Sequence, residues 1–306
     1  MKAVRFDNYG GPEVLEVREV DDPVAGAGEI LVGVKAASLN PGEIAIRQGY
    51  LHERWPATFP SGQGTDFAGI VEALGEGVDE FGVGDEVTGW TEMRASQAEL
   101  VVAPLTQVIA KPAGISWEVA GSLFVAPMAA YACVDAVKPK PGEVVVVSAA
   151  GGGVGSVAVQ LAHRTGATVV GLASERNHAW LRDHGVIPVA YGDGQARRIK
   201  QAAGEQIDAF IDTFGGGYVD MALNELGVPL ERINTIADFE AVERLGVSAQ
   251  GTHAIATREI LAELAALAAD GELEIPIANT YPLSEVRAAV EELAKRSTHG
   301  KIVLLP

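Results

Sequence analysis

The sequence predicts an α/β protein in two parts, a β-rich first third followed by a parallel sheet wound with helices. Three observations predict it. Up to about residue 116, short apolar runs such as Lys2 to Phe6, Ile30 to Ala37 and Leu100 to Pro104 are broken every few residues by Gly, Pro or Asp, the texture of strands and turns. From Ser116 onward, strand-like runs alternate with helical segments. Such alternation implies a parallel sheet, because each strand must be carried back by a crossover before its neighbour can run in the same direction. Between the first of these strands and the helix after it lies AAGGGVG at 149 to 155.

The elements follow in order. A helix over Trp117 to Val137 opens the second part and the turn KPKPGE at 138 to 143 closes it. Strands are expected at Val144 to Ser148, Thr168 to Ala173, Pro188 to Tyr191, Ala209 to Asp212, Arg232 to Ile236 and Val247 to Gln250, with helices between them. Two amphipathic helices, Thr257 to Ala269 and Ser284 to Arg296, precede a closing strand, Lys301 to Leu305, that returns to the first domain. The expected division is residues 1–117 completed by 256–306, and residues 118–255.

Composition narrows the function classes. With 306 residues, 48% apolar and 21% charged, the chain can bury an ordinary core. Its 41 acidic against 23 basic residues leave a formal charge of -18, which argues against nucleic acid as a partner. Cys133 is the only cysteine, so an internal disulfide framework and any multi-thiolate metal site are excluded. It sits in the apolar run AAYACVDAV and reads as a small packed hydrophobe. The uncharged stretch Val144 to Ala162 reads as buried strand, tight turn and packed helix, so no membrane segment is expected. Acids and turn residues in MKAVRFDNYGGPEVLEV speak against a secretion signal and for a cytoplasmic protein.

The glycine turn carries the clearest chemistry. A strand running into it and a helix leaving it aim backbone N–H groups and a positive dipole end at one point, where a phosphate fits. The spacing Ala150-x-Gly152-x-x-Gly155 is a Rossmann dinucleotide fingerprint with Ala at its first position. Ala150, Gly152, Gly153, Val154 and Gly155 are therefore candidate cofactor contacts. A P-loop is excluded, since no Gly-Lys-Ser/Thr follows. Glu175, 20 residues beyond Gly155, has the spacing of a carboxylate that grips the ribose of NAD. Ser174 and Arg176 on either side suit a 2′-phosphate instead, with Tyr191 at the end of the next strand as a further donor. NADP is favoured over NAD; the plain alternative is a solvated turn and a half-buried tyrosine.

Five blocks resemble one known family. They are KAVRFDNYGGPEVLEV near the start, ASLNPGEIAIRQG at 37 to 49, GTDFAGIVEALGEGVDEFGVGDEV at 64 to 87, AAGGGVGSVAVQLA at 149 to 162 and the terminal GKIVLLP. Together they resemble the zinc-independent quinone oxidoreductases of the medium-chain dehydrogenase/reductase superfamily, in a bacterial NADP-dependent subgroup. The resemblance implies a GroES-like β domain built from both chain ends and a Rossmann domain between them. At the positions where zinc-dependent relatives bind their metal, this chain carries Asn40, Thr65 and Asp66, so no metal site is expected.

The activity implied is transfer of a hydride from NADPH to a quinone or an α,β-unsaturated carbonyl, with a small hydrophobic substrate. Asn40 is the first catalytic candidate, as an amide donor to the developing oxyanion or a holder of the nicotinamide ribose. A plain turn residue before Pro41 is its alternative. The family often has Tyr where Ala45 stands and Thr where Ala129 stands, so Tyr50, offset from the first position, is the second candidate, with an ordinary loop aromatic as its alternative. Phe214, Ile236, Ala237 and Lys301 are carried over as cofactor contacts, a plain edge-strand residue being the alternative for Lys301. Two other readings stay open: an enoyl-thioester reductase, and a non-catalytic, crystallin-like NADPH-binding protein. A homodimer paired through the edge near Val247 to Gln250 is also implied.

Overall fold

A computed structural model describes residues 1–306. The chain divides into two compact units, Met1–Val125 with Thr257–Pro306, and Ala126–Ala256.

In the first unit β1 (Lys2–Arg5) and β2 (Glu16–Glu19) form an antiparallel ribbon. The main sheet is built on β3 (Glu29–Ser38), which pairs antiparallel with β4 (Asp66–Leu74) and, near its start, with β6 (Leu100–Pro104). Between them in sequence, β5 (Glu86–Trp90) pairs with β4 and with β7 (Val108–Ala110). Ile30, Val32, Phe67, Val71, Val87 and Val101 fill its core. One helix interrupts this β-rich part, Pro41–Arg47, where the sequence shows little helical periodicity. Its start is a capping device: Asn40 precedes Pro41 at the first helical position, and the Glu43 carboxylate accepts the Asn40 backbone N–H at 3.2 Å.

The second unit holds five parallel strands, β8 (Val144–Val147), β9 (Thr168–Leu172), β10 (Ile187–Val189), β11 (Ala209–Asp212) and β12 (Ile233–Thr235). Their spatial order is β10-β9-β8-β11-β12. The winding reverses between β8 and β11, so the carboxyl ends of those two strands flank the crevice where open α/β sheets bind ligands. Val146, Val170, Leu172, Phe210 and Ile233 form the core with Ile199 and Val219 from the helices and Leu226 from the turn after one of them. The chain then returns to the first unit, where β13 (Ile277–Pro282) and β14 (Lys301–Leu305) pair in parallel and β14 joins β3 antiparallel.

The predicted α/β class, a parallel sheet beside a separate β-rich part, is borne out. Three details differ. The helix expected over Trp117 to Val137 is two, Trp117–Ala120 and Val125–Val137. The break falls at Gly121, where a Cβ would lie 2.6 Å from the Ala36 carbonyl oxygen of β3 and whose own oxygen accepts from Ser38 N. Val247 to Gln250 is not a strand but a single bridge from Ser248 to Asn234, because the Asn234 side chain takes up Ser248 Oγ, Gln250 N and Gln250 O in place of a ladder. The strand Ile277–Pro282 was not expected from the sequence.

Candidate active site

The glycine turn leaves β8 at Ser148 and enters the helix Gly153–Arg164. Ala149 adopts left-handed backbone with φ 47°, at a cost of about 1–2 kcal/mol for a residue with a Cβ. The Gly152 N–H closes the turn onto the Ala149 oxygen at 2.8 Å. A Cβ on Gly155 would lie 2.7 Å from the Ala149 carbonyl carbon and closer still to its oxygen, so glycine lets the helix begin this near the strand end. Ala150 is fully buried, whereas Gly152, Gly153 and Val154 are partly exposed at the helix start. The N–H groups of that first turn have no intrahelical acceptor and are available to an anion.

The segment after β9 packs against this turn. A Cβ on Gly151 would lie 2.8 Å from the Asn177 Cγ, so the buried Asn177 ties the loop that carries Ser174 and Arg176 to the glycine turn. Ser174 is half-buried, and Glu175 and Arg176 are exposed. Burial pushes the Tyr191 phenol up to about 12, with Tyr218 adding and the Arg176 guanidinium opposing, which puts Tyr191 and Arg176 within electrostatic reach of each other. Tyr191 is 40% exposed.

Sequence reading missed the group that holds the carboxyl ends of β8, β11 and β12 together. The fully buried Asp212 carboxylate accepts from Ser148 Oγ at 2.7 Å, Thr235 Oγ1 at 2.7 Å, and the N–H groups of Phe214 and Gly215 at 3.0 Å. Ser148 Oγ in turn accepts from Thr213 N. Phe214, Ile236 and Ala237, all partly exposed, stand on the loops that this network fixes. An acid at the end of an apolar strand, AFID, is the signal that was available. Cys133 is fully buried, accepts from Asn234 Nδ2 at 3.2 Å, and burial pushes its thiol up to about 12, in keeping with a packed, unreactive residue.

In the first unit Asn40 and Lys301 meet inside a buried polar cluster. Both are 3% exposed. Lys301 Nζ donates to Asn40 Oδ1 at 2.5 Å and to the Leu39 oxygen at 3.0 Å. The Asn40 amide donates to Asp66 Oδ2 at 2.6 Å and to Glu43 Oε1 at 3.3 Å. Asp66 also accepts from Ser38 Oγ and Val125 N, and Glu43 accepts from Gln97 Nε2. Both amide hydrogens of Asn40 are therefore directed at carboxylates rather than outward, a placement the oxyanion-donor expectation did not foresee. Tyr50 is not brought into this cluster: it lies beyond the far end of the helix Pro41–Arg47 and is 78% exposed.

This architecture has close relatives. Residues 26–141 match the family model described as alcohol dehydrogenase GroES-like domain, and residues 183–304 the one described as zinc-binding dehydrogenase. A quinone oxidoreductase of Pseudomonas aeruginosa is 30% identical, over 100% of this chain and 99% of its own length. The solved quinone oxidoreductase of Coxiella burnetii is 31% identical with a TM-score of 0.90, covering 100% of this chain and 99% of that one. The Escherichia coli quinone oxidoreductase complexed with NADPH is 26% identical with a TM-score of 0.85, covering 100% of both. The chain belongs to the quinone oxidoreductase family of the medium-chain dehydrogenase/reductase superfamily. It is thus an oxidoreductase of that superfamily.

In this quinone oxidoreductase relative the buried cluster carries its own pH signature. Burial pushes the Glu43 carboxyl from 4.5 up to about 7, the Asp66 carboxylate adding to it while the Asn40 hydrogen bonds and the Lys301 ammonium oppose it. Burial likewise lowers Lys301, against the pull of Asp66 and Glu43. A carboxyl raised in this way keeps its proton longer folded than unfolded. Its contribution is neutral below about 4.5 and becomes a growing loss of stability as pH rises to about 7. The melting temperature of the wild type should therefore fall relative to that of Glu43→Gln across this window; parallel curves would contradict it.

Proposed function

We propose that the protein is an NADPH-dependent reductase of quinones and α,β-unsaturated carbonyls that works without zinc. The observation that carries the reading is the join between the glycine turn and the Ser174–Arg176 loop, made by Asn177 against Gly151. That approach brings the segment carrying Ser174 and Arg176 to the glycine turn, and a serine hydroxyl, a guanidinium and the Tyr191 phenol are the donor types that suit a 2′-phosphate. When bound, the cofactor supplies a hydride from its nicotinamide.

The residues of this chain then have separable tasks. The N–H groups at Gly152 to Gly155 hold the pyrophosphate, and Ser174, Arg176 and Tyr191 hold the 2′-phosphate. Asp212 fixes the loops that carry Phe214, Ile236 and Ala237, which border the nicotinamide. Asn40 and Lys301, bonded to each other and to buried carboxylates, act as positioning residues for the segment from Ser38 to Glu43. The exposed Tyr50 phenol is free to meet a small hydrophobic carbonyl or quinone.

Zinc does not fit the residues present. Asn40 and Thr65 are poor ligands, and Asp66 already accepts from Ser38, Asn40 and Val125. No group of three His, Cys, Asp or Glu side chains converges as a metal site. No helix is long and apolar enough to cross a membrane. The same reading makes the protein a cytoplasmic homodimer; light scattering at micromolar concentration should return twice the chain mass of 31.9 kDa, and a monomer mass would remove the dimer.

The binding experiment is titration with NADPH and NADH, followed by nicotinamide fluorescence, on the wild type and Arg176→Ala. Loss of one charge-assisted contact predicts about a 10–100-fold weaker NADPH affinity in the variant with NADH unchanged. Tighter binding of NADH by the wild type would instead assign the ribose to Glu175.

A further inference from the structure

We propose that the first unit holds a site for one small inorganic anion of halide size, between Arg47 and Arg94. A cavity of about 20 Å³ lies there, lined by Glu43, Arg47, Gly62, Gly64 and Arg94 among others; that is room for a single water-sized guest.

Three features favour an anion as that guest. Arg47 is 1% exposed, and its Nη2 finds no hydrogen-bond acceptor in the protein, while Nε and Nη1 donate to neutral partners, the Gly10 oxygen and Gln63 Oε1. A buried guanidinium N–H without an acceptor is costly. The neighbouring arginines are no better compensated. Arg94 donates to the Pro56 oxygen and Arg5 to the Val4 oxygen, and Arg5 Nη1 stands 3.1 Å from where a Cβ on Gly62 would sit. Elsewhere in the chain Arg18, Arg232, Arg244 and Arg258 are each matched to a carboxylate. Burial lowers the pKa of Arg47 and Arg94 in the lining and of Arg5 near Gly62, the Glu43 and Glu13 carboxylates opposing the shift at Arg47 without accepting a hydrogen bond from it.

The one carboxylate in the lining does not cancel this charge. Glu43 is engaged by Asn40 and Gln97 and is acted on by Asp66 and Lys301, and neither it nor Glu13, the two carboxylates that act on Arg47, accepts a hydrogen bond from that guanidinium. A second buried donor without a partner, Ser96 Oγ, stands behind the lining, where a Cβ on Gly64 would strike it. An ion accepting from Arg47 Nη2 and Arg94 would supply the acceptor that the buried guanidinium lacks. The inference does not depend on which dinucleotide the second unit takes.

Crystals of the wild-type protein grown in sodium bromide test it, with data collected at the bromine edge. The expected result is an anomalous peak in the cavity within hydrogen-bond reach of Arg47 Nη2. Density of water strength without anomalous signal would overturn the proposal. In solution, the ³⁵Cl NMR linewidth should broaden with wild-type protein, be displaced by bromide, and show about tenfold weaker binding for Arg94→Gln, with Arg47→Gln abolishing it. Linewidths equal in wild type and Arg94→Gln would also overturn it, whether or not the Arg47 variant folds.

Discussion

Replacing Lys301 by Met is expected to destabilise the protein by about 3–5 kcal/mol, the penalty typical of a buried ionic group left without its partner. The ammonium is the cation at the centre of the first unit's buried cluster, with Asp66 and Glu43 both acting on it electrostatically. Its removal takes the donor from Asn40 Oδ1 and the Leu39 oxygen and leaves the Asp66 and Glu43 carboxylates, bridged by the Asn40 amide, without their cation. The damage should be pH-dependent in a definite sense. Without the cation Glu43 becomes still harder to ionise, so the variant should lose more stability than the wild type as pH rises above 4.5. Denaturant unfolding of Lys301→Met at two pH values checks both statements. A loss below about 1 kcal/mol would mean that the cluster is solvated and that its burial is misjudged.

Gly155→Ala should be nearly as severe, and it should strike cofactor binding as well. The atoms a Cβ would meet are the Ala149 carbonyl and the Ala150 Cα, 2.9 Å away. These are backbone atoms of a turn already held in left-handed geometry at Ala149, so no flexible side chain can yield. The helix Gly153–Arg164 must move away from β8, at a cost of about 3 kcal/mol in packing. The first-turn N–H groups move with it, and NADPH affinity should fall by about a hundredfold or more. Gly152→Ala is the control. Its Cβ would meet only the Ala149 oxygen, at 3.3 Å, so the fold should persist while the pyrophosphate is crowded and affinity falls. Unfolding midpoints and NADPH titrations on the two variants separate the roles; equal behaviour would remove the distinction between packing glycine and contact glycine.

The second unit was the more legible part of the sequence because its signals are local. A strand, a glycine turn and a helix lie within twenty-one residues, Val144 to Arg164, and their spacing follows from backbone sterics alone. The buried isolation of Cys133 followed from its apolar run in the same way. The first unit's cluster was illegible because it is assembled by sheet topology. Asn40 meets Asp66 across 26 residues and Lys301 across 261, through the pairing of β14 with β3. No periodicity marks such a meeting. The helix Pro41–Arg47 had a local signal, Asn-x-x-Glu with Pro at the first position, but Pro-Gly at 41 and 42 also reads as a turn, and the two readings cannot be separated without the tertiary context. At Val247 to Gln250 the failure was of the opposite kind. The run has strand-like composition, and the side chain of Asn234 captured the backbone groups a sixth strand would have needed.

The proposed activity is hydride transfer from NADPH to a quinone or an activated alkene without a metal. It is tested most directly by following NADPH absorbance with the purified protein, a panel of quinones and enals, and an enoyl thioester, in the presence of a strong chelator. The predicted result is acceptor-dependent NADPH oxidation with quinones or enals that the chelator leaves unchanged and that Arg176→Ala slows through a higher KM for NADPH. Turnover abolished by the chelator, turnover confined to the enoyl thioester, or NADPH binding with no turnover on any acceptor would each contradict it.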